Sequence, residues 1–278
     1  PQIHSGDYTF EIADVSVPRY LEARPADVPQ DGTVLVLPLR NPKDPERSPR
    51  KLYETARALD PVVLFTLRNI EEIALELTSS AGGPEKQLIR ESIDLERGVA
   101  ELEQQTLGWR RAYALRDDAF QFTECAREPG RPDETMIMIG IRLDDQGIPR
   151  SLDVEEATCY SYLPTEERSG LRFFVQGHFD LPVDRERPSP DSMWNRWILS
   201  KVPLQLSRWA LDAFERIGVD RLALARGLLG VLPLASELSE PLFRQIALEL
   251  PAAFRDVTLL PGLDGEVHPG EGFLAAVA

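Results

Sequence analysis

The stretch that most constrains this chain is VQGHFDLPVDRERPSPDSMWNRWIL, from Val175 to Leu199, where an apolar strand gives way to a cluster of charge and then to a tryptophan-rich helix start. Val175, Phe179 and Leu181 alternate as in a half-buried strand. Asp184, Arg185, Glu186 and Arg187 follow at once, before Pro188 and Pro190 break the chain. The charges therefore sit on a loop at a strand end, where a rigid sheet commonly mounts binding and catalytic groups. Arginine's planar fork of donors suits a phosphate, although the same residue types also make an ordinary solvated turn. Trp194, Asn195 and Trp197 read as anchors that tie the helix start to the adjoining sheet, with Pro190 and Asp191 suited to the first helical positions.

Around this stretch the pattern is mixed α and β. Alternation predicts strands from Tyr8 to Ile12 and from Thr33 to Leu39, separated by a loop through Pro18, Pro25 and Pro29. The segment NPKDPERSPR, with three prolines, reads as a linker. Leu52, Ala56 and Leu59 then recur at helical spacing, so a short helix ends before Pro61. VVLFTL and IEEIALEL return to strand-like alternation, while the residues from Glu85 to Arg116 fit either a meander of strands or a helix. CAREPGRPDE reads as a loop, TMIMIGIRL as a buried strand and DDQGIP as a turn. EEATCYSYL and GLRFFVQGHFDL complete an antiparallel set. Beyond Pro203, the spacing of Leu206, Trp209, Ala210, Ala213, Phe214 and Ile217 marks one buried helical face, which Gly218 ends. Two further helices cover Leu222 to Leu234 and Leu242 to Leu250, followed by a short strand from Val257 to Leu260. No internal repeat is visible.

Composition removes several classes of function. With 278 residues, 42% of them hydrophobic, the chain can bury a sizeable core. Its 31 basic and 46 acidic residues give a net charge of −15, which opposes binding to nucleic acid or to an anionic membrane surface. Cys125 and Cys159 are too few for a disulfide framework, and no spacing of the three histidines suggests a metal site. The sequence contains no membrane-length apolar run and no signal peptide, so a cytoplasmic protein is expected. His178, opposite Phe179 on its strand, reads as a surface residue. Ser161 and Ser169 lack a nucleophile elbow. The opening at Pro1 reads as a strand entered without its preceding element, as in a segment of a longer protein.

The run YSYLPTEERSGLRFFVQGHFDLPVDRERPSPDSMWNRWIL resembles the segment that follows the ATP-binding domain in sacsin and bacterial sacsin-like proteins. More distantly, LPVDRE is similar to a stretch of the heat-shock protein 90 middle domain whose arginine reaches the γ-phosphate of ATP held by the neighbouring domain. DGTVLVLPLR, from Asp31 to Arg40, resembles the last strand of a GHKL ATPase domain, and LLPGLDGEVHPGEGF resembles the closing segment of sacsin repeats. The resemblance implies an α+β fold. Residues 1–40 would be the terminal strands of a GHKL domain, 41–62 a linker and helix, 63–205 a middle domain with a mixed or antiparallel sheet and packed helices, and 206–278 a helical extension with a closing strand. It implies that Arg185, or failing that Arg187, stabilises a phosphoryl-transfer transition state. Asp184 or Glu186 would pair with these arginines at rest, and Trp194 and Asn195 would support the loop. ATP and Mg would bind mainly outside this chain, which has neither the Asn/Glu helix, the Asp-x-Gly-x-Gly turn and glycine-rich lid of GHKL enzymes nor a Walker loop. The implied partners are the upstream ATP-binding domain and a protein client or second copy. A non-catalytic interaction module is the alternative.

Overall fold

A computed structural model describes residues 2–5, 8–13, 17–20, 33–36, 48–58, 60–67, 70–77, 85–94, 99–104, 108–122, 133–153, 156–183, 186–216, 220–238, 240–261 and 266–269. It is α+β and divides into two compact units, residues 1–58 with 77–84, and residues 59–76 with 85–278.

In the first unit, β1 (Gln2–Ser5), β2 (Tyr8–Ala13), β3 (Val17–Tyr20) and β4 (Thr33–Val36) form an antiparallel sheet in the order β3-β2-β1-β4. Pro18, expected in a loop, lies in β3, an edge strand, the place in a sheet where proline is tolerated. Pro25, Pro29 and most of the expected linker lie outside the described residues. Helix α1 (Pro49–Arg57) begins where Ser48 Oγ accepts a hydrogen bond from Lys51 N at 3.2 Å, with proline in its first turn. Its buried residue is Tyr53; Leu52, which the helical spacing placed on the apolar face, is exposed.

The second unit opens with a departure from the sequence reading. VVLFTL alternates like a strand, yet Val63–Thr66 form a single helical turn, α2. Asp60 decides this: its Oδ1 accepts from Val62 N at 3.0 Å and its carbonyl accepts from Val63 N, so the chain coils as soon as it passes Pro61. All four α2 residues are buried, which no half-exposed strand would achieve.

The remaining ambiguity, between Glu85 and Arg116, is settled as strands. The unit's sheet contains β5 (Glu72–Leu77), β6 (Glu85–Asp94), β7 (Val99–Gln104), β8 (Trp109–Gln121), β9 (Glu134–Leu143), β10 (Pro149–Arg150), β11 (Thr158–Ser161), β12 (Leu163–Arg168) and β13 (Phe174–Gln176). Its order is β12-β11-β13-β9-β8-β7-β6-β5, with β10 also paired to β9. The sheet is mixed: β11 and β13 run parallel, with Cys159 opposite Val175 and Tyr160 opposite Gln176. Of the mixed or antiparallel sheet expected, it is the mixed form, and β13 does not continue β11 and β12 as a simple antiparallel set. The hairpin β11–β12 reverses the chain once and residues 169–173 reverse it again, which brings β13 back alongside β11 in the same direction.

Both sheet faces are covered, and β9 shows why its sequence is nearly continuously apolar. Ile137, Ile139 and Ile141 point to a core shared with Val175, Cys159 and the helices α3 (Met193–Arg216), α4 (Arg221–Val231) and α5 (Pro241–Ala253). Met138 points to the other face, where Tyr113, Tyr160 and Phe174 pack against α2. Gly140 must lack a side chain, because a Cβ there would overlap the ring of Phe174, its partner across the strand pair. Met136, expected in the core, is only half-buried.

α3 begins ten residues before Pro203 and runs through it; the sequence division at residue 205 falls inside this helix. Leu206, Trp209, Ala210 and Ala213 are buried as their spacing requires, while Ile217 lies outside the described residues. β14 (Thr258–Pro261) and β15 (Val267–Pro269) form a closing hairpin ladder. Among the described residues, no helix is long and apolar enough to cross a membrane.

Candidate functional site

The parallel pair sets the site. Its strands point the same way, so the turn after β11 and the segment after β13 leave the same end of the sheet. The backbone is tied across that end: Gly177 N donates to Tyr160 O at 3.0 Å. Phe179, 5% exposed, then drops into the core and fixes the level at which the charged loop begins.

The loop has a closed base. Ser189 N donates to Asp180 O at 3.0 Å, which joins its two ends. Asn195, fully buried, completes the closure with both polar atoms of its amide. Its Oδ1 accepts from Asp180 N at 2.7 Å, and its Nδ2 donates to Asp180 O at 2.9 Å and to Ser189 O at 3.0 Å. Ser192 Oγ donates to Asp180 Oδ2 at 2.5 Å and accepts from Asn195 N at 3.2 Å, so the helix cap and the loop base share one hydroxyl. Trp194 Nε1 donates to His178 O at 2.7 Å. The expected loop-supporting pair, Trp194 and Asn195, is thus brought to the loop base. The cap is Ser192, and Pro190 and Asp191, expected at the entry of the helix, precede it.

The tip contrasts with the base. Val183 is fully exposed, and Glu186 and Arg187 are exposed as well. Asp184 and Arg185 lie outside the described residues. Glu186 O accepts from Glu166 N at 2.7 Å, which runs the returning arm of the loop beside β12. Burial, and next to it Glu240, hold the Glu167 carboxyl above its ordinary range, while the positive charge of Arg187 acts in the opposite direction. Arg187 is the arginine of the tip among the described residues. Among the described residues, no three His, Cys, Asp or Glu side chains cluster to hold a metal ion.

Sequence reasoning missed Asp180, Ser192 and Tyr162. Ser192 was recoverable, because a serine three positions before a residue in a helical start is an N-cap pattern. Tyr162 gave no signal. It follows Ser161 in the turn between β11 and β12 with φ of +66°, a left-handed conformation unusual for tyrosine and costing about 1–2 kcal/mol. Two buried side chains hold it there: Tyr162 N donates to Gln176 Oε1 at 3.0 Å, and Tyr162 O accepts from Thr66 Oγ1.

Two other polar regions lie elsewhere. A groove of about 680 Å³ is lined by Val99, Glu101, Arg110, Leu143, Asp144 and Arg150, among others, at the opposite end of β9 from the loop. On the α2 face, Asp60 Oδ2 lies 3.3 Å from Tyr160 OH. Burial raises the Asp60 carboxyl above its ordinary value, and burial with the neighbouring Asp60 charge pushes the Tyr113 phenol up to about 12.

No protein-family model matches the chain, and no solved structure matches it. Among curated proteins, it is similar to Protein NO VEIN of Arabidopsis thaliana, with 41% identity over 71 residues. That stretch is 25% of this chain and 2% of the plant protein.

Proposed function

We propose that this chain is the middle segment of a sacsin-like, heat-shock-protein-90-like ATPase, and that its loop delivers an arginine to the γ-phosphate of ATP held by a neighbouring GHKL domain. The observation that carries this reading is the loop's construction: a base fixed by buried hydrogen bonds through Asn195, below an exposed tip that includes Arg187. A rigid base keeps a charged tip oriented before its ligand arrives, which is the condition for electrostatic stabilisation of a transition state. Arg185 is the primary donor and Arg187 the second. ATP and Mg are held mainly by the neighbouring domain, and hydrolysis there drives conformational change in a cytoplasmic chaperone.

This reading predicts negligible Mg-ATP binding by the chain alone, and binding when the chain is joined to its upstream segment. Calorimetric titration of both proteins checks it; micromolar affinity for the chain alone would place the nucleotide site within it and contradict the reading.

A second reading, a non-catalytic interaction module, draws on the helices. Leu204 and Leu211, seven residues apart and so on one face of α3, are 39% and 49% exposed, and Leu248 of α5 is 66% exposed. Exposed leucines on packed helices suit a protein partner.

A further inference from the structure

The groove at the Leu143 end of β9 is lined by four arginines from neighbouring strands: Arg110 and Arg111 of β8, Arg142 of β9 and Arg150 of β10. In a chain of net charge −15, this is a local concentration of the minority charge. A guanidinium has no neutral form at working pH, so each one needs an anion or water. Their pairings are unequal. Arg110 has Glu101 at 2.5 Å and Arg150 has Asp144 at 2.8 Å, each a carboxylate of its own. Arg111 and Arg142 share one, with Glu156 Oε1 at 3.0 Å from Arg111 and Oε2 at 3.4 Å from Arg142. Four guanidiniums are therefore matched by three carboxylates. Asp145 also lines the groove but, among the described residues, pairs with none of the four.

The shared carboxylate falls to the less exposed cations. The side chains of Arg111 and Arg142 are 29% and 33% exposed, against 66% and 62% for Arg110 and Arg150. Water screens them less, so an anion beside them is held more strongly. Arg111 is also oriented, because its Cζ lies 4.7 Å from the centroid of the Trp109 ring. The rim is fixed by Asp144, which accepts hydrogen bonds from the N–H groups of Gln146 and Ile148. The floor is apolar: Ala112 faces Leu143 across the β8–β9 pair, and Leu143 and Val99 are buried. A hollow of about 680 Å³ has the size of a small-molecule site.

We propose that this groove binds a small organic acid, with its carboxylate on Arg111 and Arg142 and its hydrocarbon part over Val99, Ala112 and Leu143. A carboxylate is the group these two arginines already accept from Glu156, and a second one would bring the four guanidiniums to four carboxylates. Glu101, Asp144 and Asp145 line the same groove and repel a ligand of higher negative charge, which selects one carboxylate over a polyphosphate. The site lies at the other end of β9 from the arginine loop and does not depend on it.

Hexanoate is the probe, titrated calorimetrically into the whole chain while the methyl NMR signals of Val99 and Leu143 are followed. Hexanol, which has the chain without the charge, and inorganic phosphate are the comparators. Saturable millimolar binding with shifts of both methyl sets is expected, and hexanol and phosphate are expected to bind about tenfold more weakly or less. Arg142→Gln is expected to weaken hexanoate about tenfold. Asp145→Lys, at an exposed turn position where folding is not at stake, is expected to tighten it about threefold by replacing a repelling charge. The absence of saturable binding, unshifted methyls, or phosphate or hexanol binding as tightly as hexanoate would overturn the proposal. So would an affinity unchanged by Asp145→Lys, or by Arg142→Gln at a wild-type melting temperature.

Discussion

The two ends of β9 handle charge in opposite ways. Near Leu143, the groove pairs its cations locally: Arg110 meets Glu101 at 2.5 Å, and Arg150 meets Asp144 at 2.8 Å. Asp144 also accepts backbone hydrogen bonds from Gln146 and Ile148. Burial would push the Asp144 carboxyl up, but these bonds and Arg150 outweigh it and hold the group below its ordinary range. Near Met136, by contrast, buried hydrogen bonds through Asn195 and Ser192 tie the base of the loop together, and Glu186 and Arg187 are exposed.

Substitutions should separate the two ends by size of effect. Asn195→Ala leaves the amide of Asp180 and the carbonyl of Ser189 without their buried partner. It is expected to lower stability by about 3 kcal/mol, read from denaturant melts, and a loss below about 1 kcal/mol would mean the base is not held as described. Asp60 provides an intermediate case, a half-buried carboxyl at neither end. Its folded pKa lies above the unfolded value of 3.8, so the stability it contributes is fully present below pH 3.8 and is lost as pH rises through the folded pKa. Asp60→Asn removes that dependence. Relative to the wild type, the variant is expected to gain stability between pH 4 and pH 7 in urea melts, and a constant difference would refute the burial argument. The smallest effect belongs to the groove. Arg150, 62% exposed, forms a surface pair with Asp144, and Arg150→Ala is expected to cost about 0.2–1 kcal/mol. A larger loss would show the pair to be more than a surface contact.

Much of this organisation is local and therefore readable in the sequence. The buried strand β9, the apolar face of α3 from Leu206 to Ala213 and the anchoring role of Trp194 and Asn195 follow from residue type and spacing. The failures were non-local or depended on one competing group. VVLFTL has strand-like alternation, but the turn closed by Asp60 and burial on every side make it a helical turn. Pro203 looks like a helix start and lies inside α3. The parallel pairing of β11 and β13 depends on how residues 162–173 return the chain, which no window of periodicity contains. Asp180 and Tyr162 become meaningful only once that pairing is known. Arg185, singled out through the resemblance, lies outside the described residues.

The central claim is that the loop acts on a phosphate bound by another domain. Single-turnover ATP hydrolysis by the full-length protein, measured beside nucleotide affinity for the wild type, Arg185→Ala and Arg187→Ala, tests it most directly. Arg185→Ala is expected to slow hydrolysis by about tenfold to a thousandfold, the scale for removing one charge-stabilising donor, while affinity stays within about threefold because most binding contacts belong to the other domain. If only Arg187→Ala is slow, Arg187 is the donor. If both variants hydrolyse ATP at the wild-type rate, the loop plays no part in phosphoryl transfer and the interaction-module reading replaces this one.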